Sequence, residues 1–175
     1  MLQTKKLCHV NEKTVRHWFR EFRLHSPQIE PILAGTVQMD EAYFKSLSLI
    51  MAKQAGSRKI AHQIIFKNSV NKSEATRFLY QHIQPNAKLH TDGAGIYRSI
   101  NKWWPVKHKR DVHSRWEFEL TSEIEGMFGN LRTFIRRMYH HTRPEYLPEY
   151  AGEFCARFSS PEIFDSPLSY LEKSI

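Results

Sequence analysis

Gly35-Thr36-Val37-Gln38-Met39-Asp40-Glu41-Ala42-Tyr43-Phe44 is the stretch that decides the fold of this 175-residue chain. Its apolar residues at Val37, Met39 and 42–44 are typical of a strand, and Gly35 marks its start. Asp40 comes directly after Met39, and we expect it at the end of the strand. The question is which other segments surround this strand.

Strand and helix signals follow in a definite order. Further strands are predicted at residues 47–52, 62–66, 88–91 and 105–108, and helices at residues 71–83, 96–103, 122–138 and 144–158. The first three strands read as an antiparallel meander, and the later ones alternate with helices. This order predicts an α/β fold with a mixed sheet flanked by helices, which is the ribonuclease H-like layout.

A basic amphipathic helix is predicted at residues 11–24, with Asn11 as its N-cap. Its apolar face contains Val15, Trp18, Phe19 and Phe22, and Arg16 and Arg20 lie away from the centre of that face. Two interpretations stay open: a helix that packs within this chain, or the second helix of a helix-turn-helix motif. Only ten residues precede it, which is too short for a complete partner helix and turn.

Composition points to a polyanionic partner. The chain carries a net charge of +8 with 41% hydrophobic residues, enough for a core, and basic residues occur along its whole length. Nucleic acid is the expected partner. Cys8 and Cys155 are too few for a zinc site or a disulfide framework. No apolar run approaches the roughly 20 residues needed to cross a bilayer, so no membrane partner is expected.

Three acidic residues suggest a metal site. Asp40, Asp92 in Leu89-His90-Thr91-Asp92-Gly93, and Glu125 near the start of a helix come from distant parts of the chain. Carboxylates are the ligands that Mg²⁺ prefers, and such sites catalyse phosphoryl transfer. Other readings stay open: Asp92 beside a glycine is typical of a turn, and Glu125 with Ser122 fits a capping box.

The predicted helix at residues 122–138 carries charge along one flank. Glu125, Gly129, Arg132 and Arg136 recur at helical spacing, beside a core-facing stripe that runs from Ile124 to Met138. A metal-binding carboxylate and two phosphate-binding cations on one edge would suit a DNA strand that crosses the helix.

Four blocks, in the same order along the chain, resemble those of a family of bacterial insertion-sequence transposases. This is the DDE-type group whose members often begin with a zinc ribbon and a helix-turn-helix. The blocks are residues 35–43, residues 90–93 with Tyr97, residues 124–132, and Tyr139-His140-His141 with residues 153–158. The resemblance covers nearly the whole chain, and the shared order of the blocks makes it specific.

The resemblance implies an enzyme that uses Mg²⁺ or Mn²⁺ to cut and rejoin DNA at the ends of its own element. It makes Asp40, Asp92 and Glu125 the catalytic residues and metal ligands, and it places Arg132 where the family usually has Lys. Residues 31–175 would form the ribonuclease H-like catalytic domain. The alternative is a DNA-binding remnant of a transposase that no longer catalyses.

The implied partners are the terminal inverted repeats of the element and the target DNA, bound by a homo-oligomer. Besides Arg132, we expect Arg136, Arg16 and Arg20 to contact DNA. The implied location is the cytoplasm of a bacterium, in association with the nucleoid.

The chain departs from the family pattern at two places. Many members have an Asn three positions before the glutamate of the third block, where this chain has Ser122. We therefore predict Glu125 as the third metal ligand, and a role for Ser122 or Glu123 stays open. Residues 1–30 lack the zinc ribbon and are interpreted as a helical segment that is a partial helix-turn-helix remnant, which makes the chain an N-terminally short member.

Overall fold

A single mixed sheet forms the centre of the computed structural model, which describes residues 6–26, 31–111, 121–139 and 143–174. Its strand order is β3-β2-β1-β4-β5. The strands are β1 Thr36–Phe44, β2 Leu47–Gln54, β3 Ile60–Ile65, β4 Lys88–Thr91 and β5 Lys107–Arg110. The pairings β1–β2 and β2–β3 are antiparallel, whereas β1–β4 and β4–β5 are parallel. The predicted mixed sheet flanked by helices is confirmed.

Five α-helices that lie wholly within the described ranges accompany the sheet. They are α1 Glu12–Leu24, α2 Lys72–His82, α3 Ser122–Tyr139, α4 Leu147–Ser159 and α5 Pro167–Ser174. The predicted cap at Asn11 is present, since its side chain accepts from the Lys13 backbone N–H at 2.9 Å. Asn71 and Glu74 form a capping box at the start of α2. None of the helices in the described ranges has the length and apolar character needed to cross a bilayer.

Two apolar layers pack on opposite faces of the sheet. Because side chains alternate along a strand, Met39 of β1 faces one layer, which includes Phe78 of α2. Ala42 faces the other, where Leu131 of α3 and Phe154 of α4 pack. The sheet is thus covered on both sides, which is what a mixed sheet with crossover helices requires.

Several predicted elements differ in detail. The helix expected at residues 96–103 is replaced by two short 3₁₀ turns, Gly95–Tyr97 and Ile100–Lys102, because Ser99 between them adopts a left-handed conformation with φ 60°. Strand β5 lies two residues later than expected, and α5 was not predicted. Met138, expected in the core-facing stripe of α3, is 51% exposed.

Helix α1 packs against α4, as one of the two interpretations expects. Glu149 of α4 accepts from Arg20 at 3.3 Å and from Arg23 at 3.4 Å. Val15 is buried, yet Phe22 on the same apolar face is 49% exposed. The predicted domain boundary after residue 30 lies outside the described residues.

The N-terminus of α3 is fixed to the sheet by two polar contacts. The Gln38 side chain of β1 accepts from the Ile124 backbone N–H at 3.0 Å, which satisfies one of the free donors of the first helical turn. Beside it, buried Lys53 of β2 forms an ion pair with Glu123. These contacts set the position of α3 relative to β1.

We expect Gln38→Met to lower the free energy of unfolding by about 1–3 kcal/mol, because a buried helix N–H loses its acceptor while side-chain volume is kept. Urea denaturation measures the change. Gln63→Met in β3 is the matched control, since Gln63 Oε1 is buried without a hydrogen-bond partner among the described residues. Equal losses in both variants would contradict a specific role for the Gln38 contact.

Candidate active site

The parallel pairing of β1 with β4 brings Asp40 and Asp92 together. Gln38 lies opposite His90 in this pairing, and the same register carried two residues further places Asp92 beside Asp40. Strand β4 ends at Thr91, while β1 continues to Phe44. The prediction that Asp40 ends its strand is therefore wrong. The site forms at Asp40 because β4, the strand paired with β1, ends there.

Asp40, Glu41 and Asp92 form a carboxylate cluster. One side-chain oxygen from each lies within 4.8 Å of the oxygens chosen from the other two, and all three residues are half-buried. Asp92 Oδ1 also accepts from the Ala94 backbone N–H at 3.0 Å, which fixes the turn after β4. The structure thus brings two of the predicted residues together and adds Glu41, which we had not predicted.

Glu41 reaches the cluster from the other face of the sheet. Tyr97, which is fully buried, donates its hydroxyl proton to Glu41 Oε2, and Tyr43 donates to Oε1 at 3.0 Å. Adjacent strand residues point to opposite faces of the sheet. The alternation along β1 therefore predicted that only one of Asp40 and Glu41 would face the site. In the described pairing, β4 accompanies β1 only as far as Gln38 and ends at Thr91. The sequence signal for Glu41 was its adjacency to Asp40.

Glu125 approaches Asp40 from α3. It is exposed, and its charge contributes to raising the pKa of Asp40. Glu125 Oε1 accepts from the Thr121 hydroxyl at 3.1 Å, and Thr121 Oγ1 is also 3.1 Å from Asp111 Oδ2. Thr121 is buried and thus links Glu125 to the end of β5. A functional part for Thr121 and Asp111 was not predicted, because their contact depends on how the end of β5 lies against the start of α3 and not on a local sequence pattern.

Asp111 extends the row of acidic residues across the sheet. The β4–β5 register places Thr91 opposite Arg110, so Asp111 lies beside Asp92. The backbone passes closely here: a Cβ on Gly93 would lie 3.3 Å from the Asp111 carbonyl oxygen. The glycine after Asp92 therefore serves the packing of the two strand ends, in addition to the turn.

Burial and repulsion make the cluster unfavourable without a cation. The pKa of Asp40 is raised from 3.8 to about 7, mainly by burial and also by the neighbouring charges of Glu41, Asp92 and Glu125. A hydrogen bond from the Glu41 backbone N–H, at 2.8 Å, acts in the opposite direction. Burial likewise raises the pKa of Glu41, while the Tyr97 hydrogen bond lowers it.

The donor set fits a hard divalent ion. Mg²⁺ and Mn²⁺ prefer oxygen ligands, and one or two carboxylates with water and substrate phosphate complete the shell of Mg²⁺. A bound cation would reverse the repulsion that raises the pKa of Asp40. The residues present therefore suit such an ion.

Ser122 and Glu123, the alternatives to Glu125 as third metal ligand, have different surroundings from Glu125. Glu123 forms an ion pair with Lys53, whose hydrogen bond is the largest cause that lowers the pKa of Glu123. Ser122 is exposed at the first position of α3. Of Glu123 and Glu125, only Glu125 is among the charges that raise the pKa of Asp40.

The predicted DNA-binding arginines lie in two places. Arg132 and Arg136 are exposed on α3 and line one pocket. Arg16 pairs with Glu12 at 2.6 Å, and Arg20 with Glu149, so both α1 residues have partners within the chain. His140 and His141, part of the fourth block, lie outside the described residues.

The raised pKa of Asp40 predicts a pH-dependent stability. From its ordinary pKa of 3.8 up to about 7, the unfolded chain has lost this proton while the folded chain keeps it. The free energy of unfolding should fall as pH rises through this range and then level off. Asp40→Asn removes this loss, so it should gain stability relative to the unsubstituted protein between about pH 5 and about pH 8 in urea denaturation. Saturating Mg²⁺ should stabilise the unsubstituted protein more at the higher pH; a pH-independent difference would contradict the assignment.

The Thr121 link predicts a second effect. Thr121→Val keeps the shape but removes the hydroxyl, whose single proton serves either the Asp111 or the Glu125 carboxylate. We expect a loss of about 1–3 kcal/mol in the free energy of unfolding, measured by thermal or urea denaturation. Thr121→Ser keeps the hydroxyl and should recover most of the loss; failure to recover would show that the methyl group, not the hydrogen bonds, matters.

The sequence matches the ISXO2-like transposase domain over residues 45–159, more than half of the chain. The matched range contains Asp92 and Glu125, and Asp40 lies just before it. No curated protein is similar enough in sequence to match.

Two solved structures have a similar fold. One is a chain of the cryo-EM structure of the simian T-cell lymphotropic virus intasome in complex with PP2A regulatory subunit B56 gamma, with a TM-score of 0.50 and 14% identity. That match covers 75% of this chain and 50% of the other, so this chain spans half the length of that relative. The catalytic core domain of BIV integrase gives a TM-score of 0.50 and 13% identity over 71% of this chain and 82% of that one.

At such low identity, the two structures show the fold alone, and it is ribonuclease H-like, as predicted. The family follows from the sequence match, which extends from the turn after β1 to the end of α4. By this match, the chain belongs to the ISXO2-like transposase domain family.

Proposed function

We propose that this chain catalyses metal-dependent DNA cleavage and strand transfer at the ends of an insertion element. The observation that carries the proposal is the meeting of Asp40 and Asp92 at the end of β4, with Glu125 close enough to act on the charge of Asp40. Three carboxylates from separate elements around one space suit phosphoryl transfer better than a structural role, since they destabilise one another.

Asp40, Asp92 and Glu125 are the proposed ligands of Mg²⁺ or Mn²⁺, and Glu41 is a further candidate. When bound, the ions neutralise charge on the phosphate and favour deprotonation of the attacking oxygen. In the first step, a water oxygen attacks the phosphorus, the bond to the 3′ oxygen breaks, and that oxygen takes up a proton. In the second step, the new 3′-hydroxyl loses its proton and attacks a phosphodiester of the target DNA. The bond from that phosphorus to its 3′ oxygen breaks, and this oxygen takes up a proton.

The chain's own residues prepare this geometry. Tyr97 and Tyr43 hold Glu41, Ala94 holds Asp92 and Thr121 holds Glu125, so these carboxylates have fixed directions before DNA arrives. Preorganised groups of this kind reduce the cost of reaching the transition state.

Arg132 and Arg136 are the proposed phosphate contacts on α3, beyond Glu125. An arginine in the place where the family usually has Lys presents a planar fork, which can bind two phosphate oxygens at once. Arg16 and Arg20 on α1 are further proposed contacts; each would have to exchange its carboxylate partner for phosphate.

The proposed partners are the terminal inverted repeats and the target DNA, bound by a homo-oligomer in the bacterial cytoplasm at the nucleoid. The net charge of +8 supports a nucleic-acid partner. A non-catalytic DNA-binding remnant has less support, because such a protein has no need to keep mutually repelling carboxylates together.

We expect Asp92→Asn to abolish divalent-ion-dependent nicking of element-end DNA, with a rate loss of at least about a thousandfold, since the metal-bound charge supplies several kcal/mol. Nicking of a supercoiled plasmid that carries the inverted repeat measures the rate with Mg²⁺ or Mn²⁺. Binding to the same DNA, measured by gel shift, should stay nearly unchanged.

Asp165→Asn, at an exposed position away from the cluster, is the control and should stay within about twofold of the original rate. In the same assay, Glu125→Gln should lose nicking and Glu123→Gln should keep most of it. Unchanged nicking in Asp92→Asn would overturn the assignment of the site, and binding without any nicking by the unsubstituted protein would favour the remnant.

A further inference from the structure

A basic pocket lies at the far end of α3 from the carboxylates. It has a volume of about 280 Å³, and its charged lining residues are Lys45, Arg132, Arg136 and Arg143. Phe44 and Leu147 contribute apolar walls. The cations come from three separate places: the turn between β1 and β2, helix α3, and the segment just before α4.

The positive charge of the basic pocket is poorly compensated. No carboxylate of the described residues forms an ion pair with Lys45, Arg132 or Arg136. Arg143 has Glu145 at 3.5 Å, but both side chains are largely exposed, so this pair contributes little. The dipole at the C-terminus of α3 favours Arg136, yet it does not account for Lys45 and Arg143 on other elements. Cations gathered in this way favour an anion among them.

Separations along β1 and along α3 give the spacing between the acidic residues and the basic pocket. Arg136 follows Glu125 by eleven residues on α3, which is about 16 Å at the helical rise. Lys45 follows Asp40 by five residues on β1 and its turn, which is about 17 Å at the strand rise. Arg132 is nearer, about 10 Å from Glu125 along the helix. Strand β1 and helix α3 therefore both extend from the carboxylates to the basic pocket.

This spacing matches the backbone of a DNA strand. At about 3.4 Å per step of duplex, 10–17 Å is about three to five nucleotides. Guanidinium groups bind phosphate oxygens in pairs, and a lysine adds a point charge. None of the described residues that line the basic pocket is acidic, so none of them would repel a phosphate.

We propose that the basic pocket binds a backbone phosphate of DNA about three to five nucleotides from the phosphodiester held at the carboxylates. The inference rests on the proposed function for DNA as the partner, and it adds Lys45 and Arg143 to the contacts. Because the ligand is a phosphate, binding there is independent of base sequence. Its part is to hold the strand in register so that the reacting bond reaches Asp40 and Asp92.

The first experiment compares two double variants that remove the same charge. Lys45→Gln with Arg143→Gln empties the basic pocket of two cations, and Lys59→Gln with Arg58→Gln removes one Lys and one Arg from the exposed β2–β3 turn at the other end of the sheet. The probe is a mixed-sequence duplex of about 30 base pairs, titrated by fluorescence anisotropy without Mg²⁺ between about 50 and 300 mM KCl.

The pocket variant should bind several-fold more weakly, and the slope of log affinity against log salt should shrink by about one, as for one lost phosphate contact. The turn variant should show a clearly smaller loss. Lys45→Arg with Arg143→Lys keeps both charges and should bind within about twofold of the original, which checks that the fold is intact. Equal losses in the pocket and turn variants, or no DNA binding by the unsubstituted protein, would overturn the proposal.

The second experiment locates the phosphate. Element-end duplexes carry one uncharged methylphosphonate at successive positions from the cleavage point, and binding is measured in the Asp92→Asn background. The loss caused by the pocket variant should disappear only when the neutral position is about three to five nucleotides away. A loss that persists for every position would overturn the assignment. Because this readout needs no cleavage, failure of the catalytic proposal and failure of the pocket proposal give different results.

Discussion

The short parallel pairing of β1 with β4 is the constraint on which the site depends. It consists of three residue pairs, and a slip by one residue would turn Asp92 to the opposite face of the sheet. Two features fix this register. Leu89 is buried in the apolar layer that contains Phe78. Gly93 has no side chain, so the Asp111 backbone can approach it closely. Burial of β4 therefore stabilises the fold and also fixes Asp92 beside Asp40.

The carboxylate cluster lowers the stability of the folded protein, and contacts elsewhere in the molecule compensate for this loss. Asp40, Glu41 and Asp92 repel one another in a half-buried space, which is unfavourable for a metal-free protein. Apolar layers on both faces of the sheet, together with the polar contacts that fix the start of α3, supply the opposing stability. Such local conflict is expected where a site is built to bind a charge of opposite sign.

Part of this arrangement follows from local patterns in the chain. Apolar periodicity and caps predicted the order of most elements, and the resemblance of the blocks pointed to Asp40 and Asp92. Glu41 was missed because strand alternation assigns neighbouring residues to opposite faces, and no local pattern shows where a partner strand ends. The break at Ser99 depends on a left-handed backbone that its residue type does not demand. The Thr121 link joins β5 to α3 and exists only in three dimensions.

Strand β5 has a consequence for assembly. It is one of the two outer strands of the described sheet, is four residues long, and consists of Lys107, His108, Lys109 and Arg110. A second molecule that extended the sheet at this border would bring like charges into direct opposition, which is unfavourable in cross-strand pairs. Copies of the chain are thereby discouraged from pairing strand to strand at the β5 border.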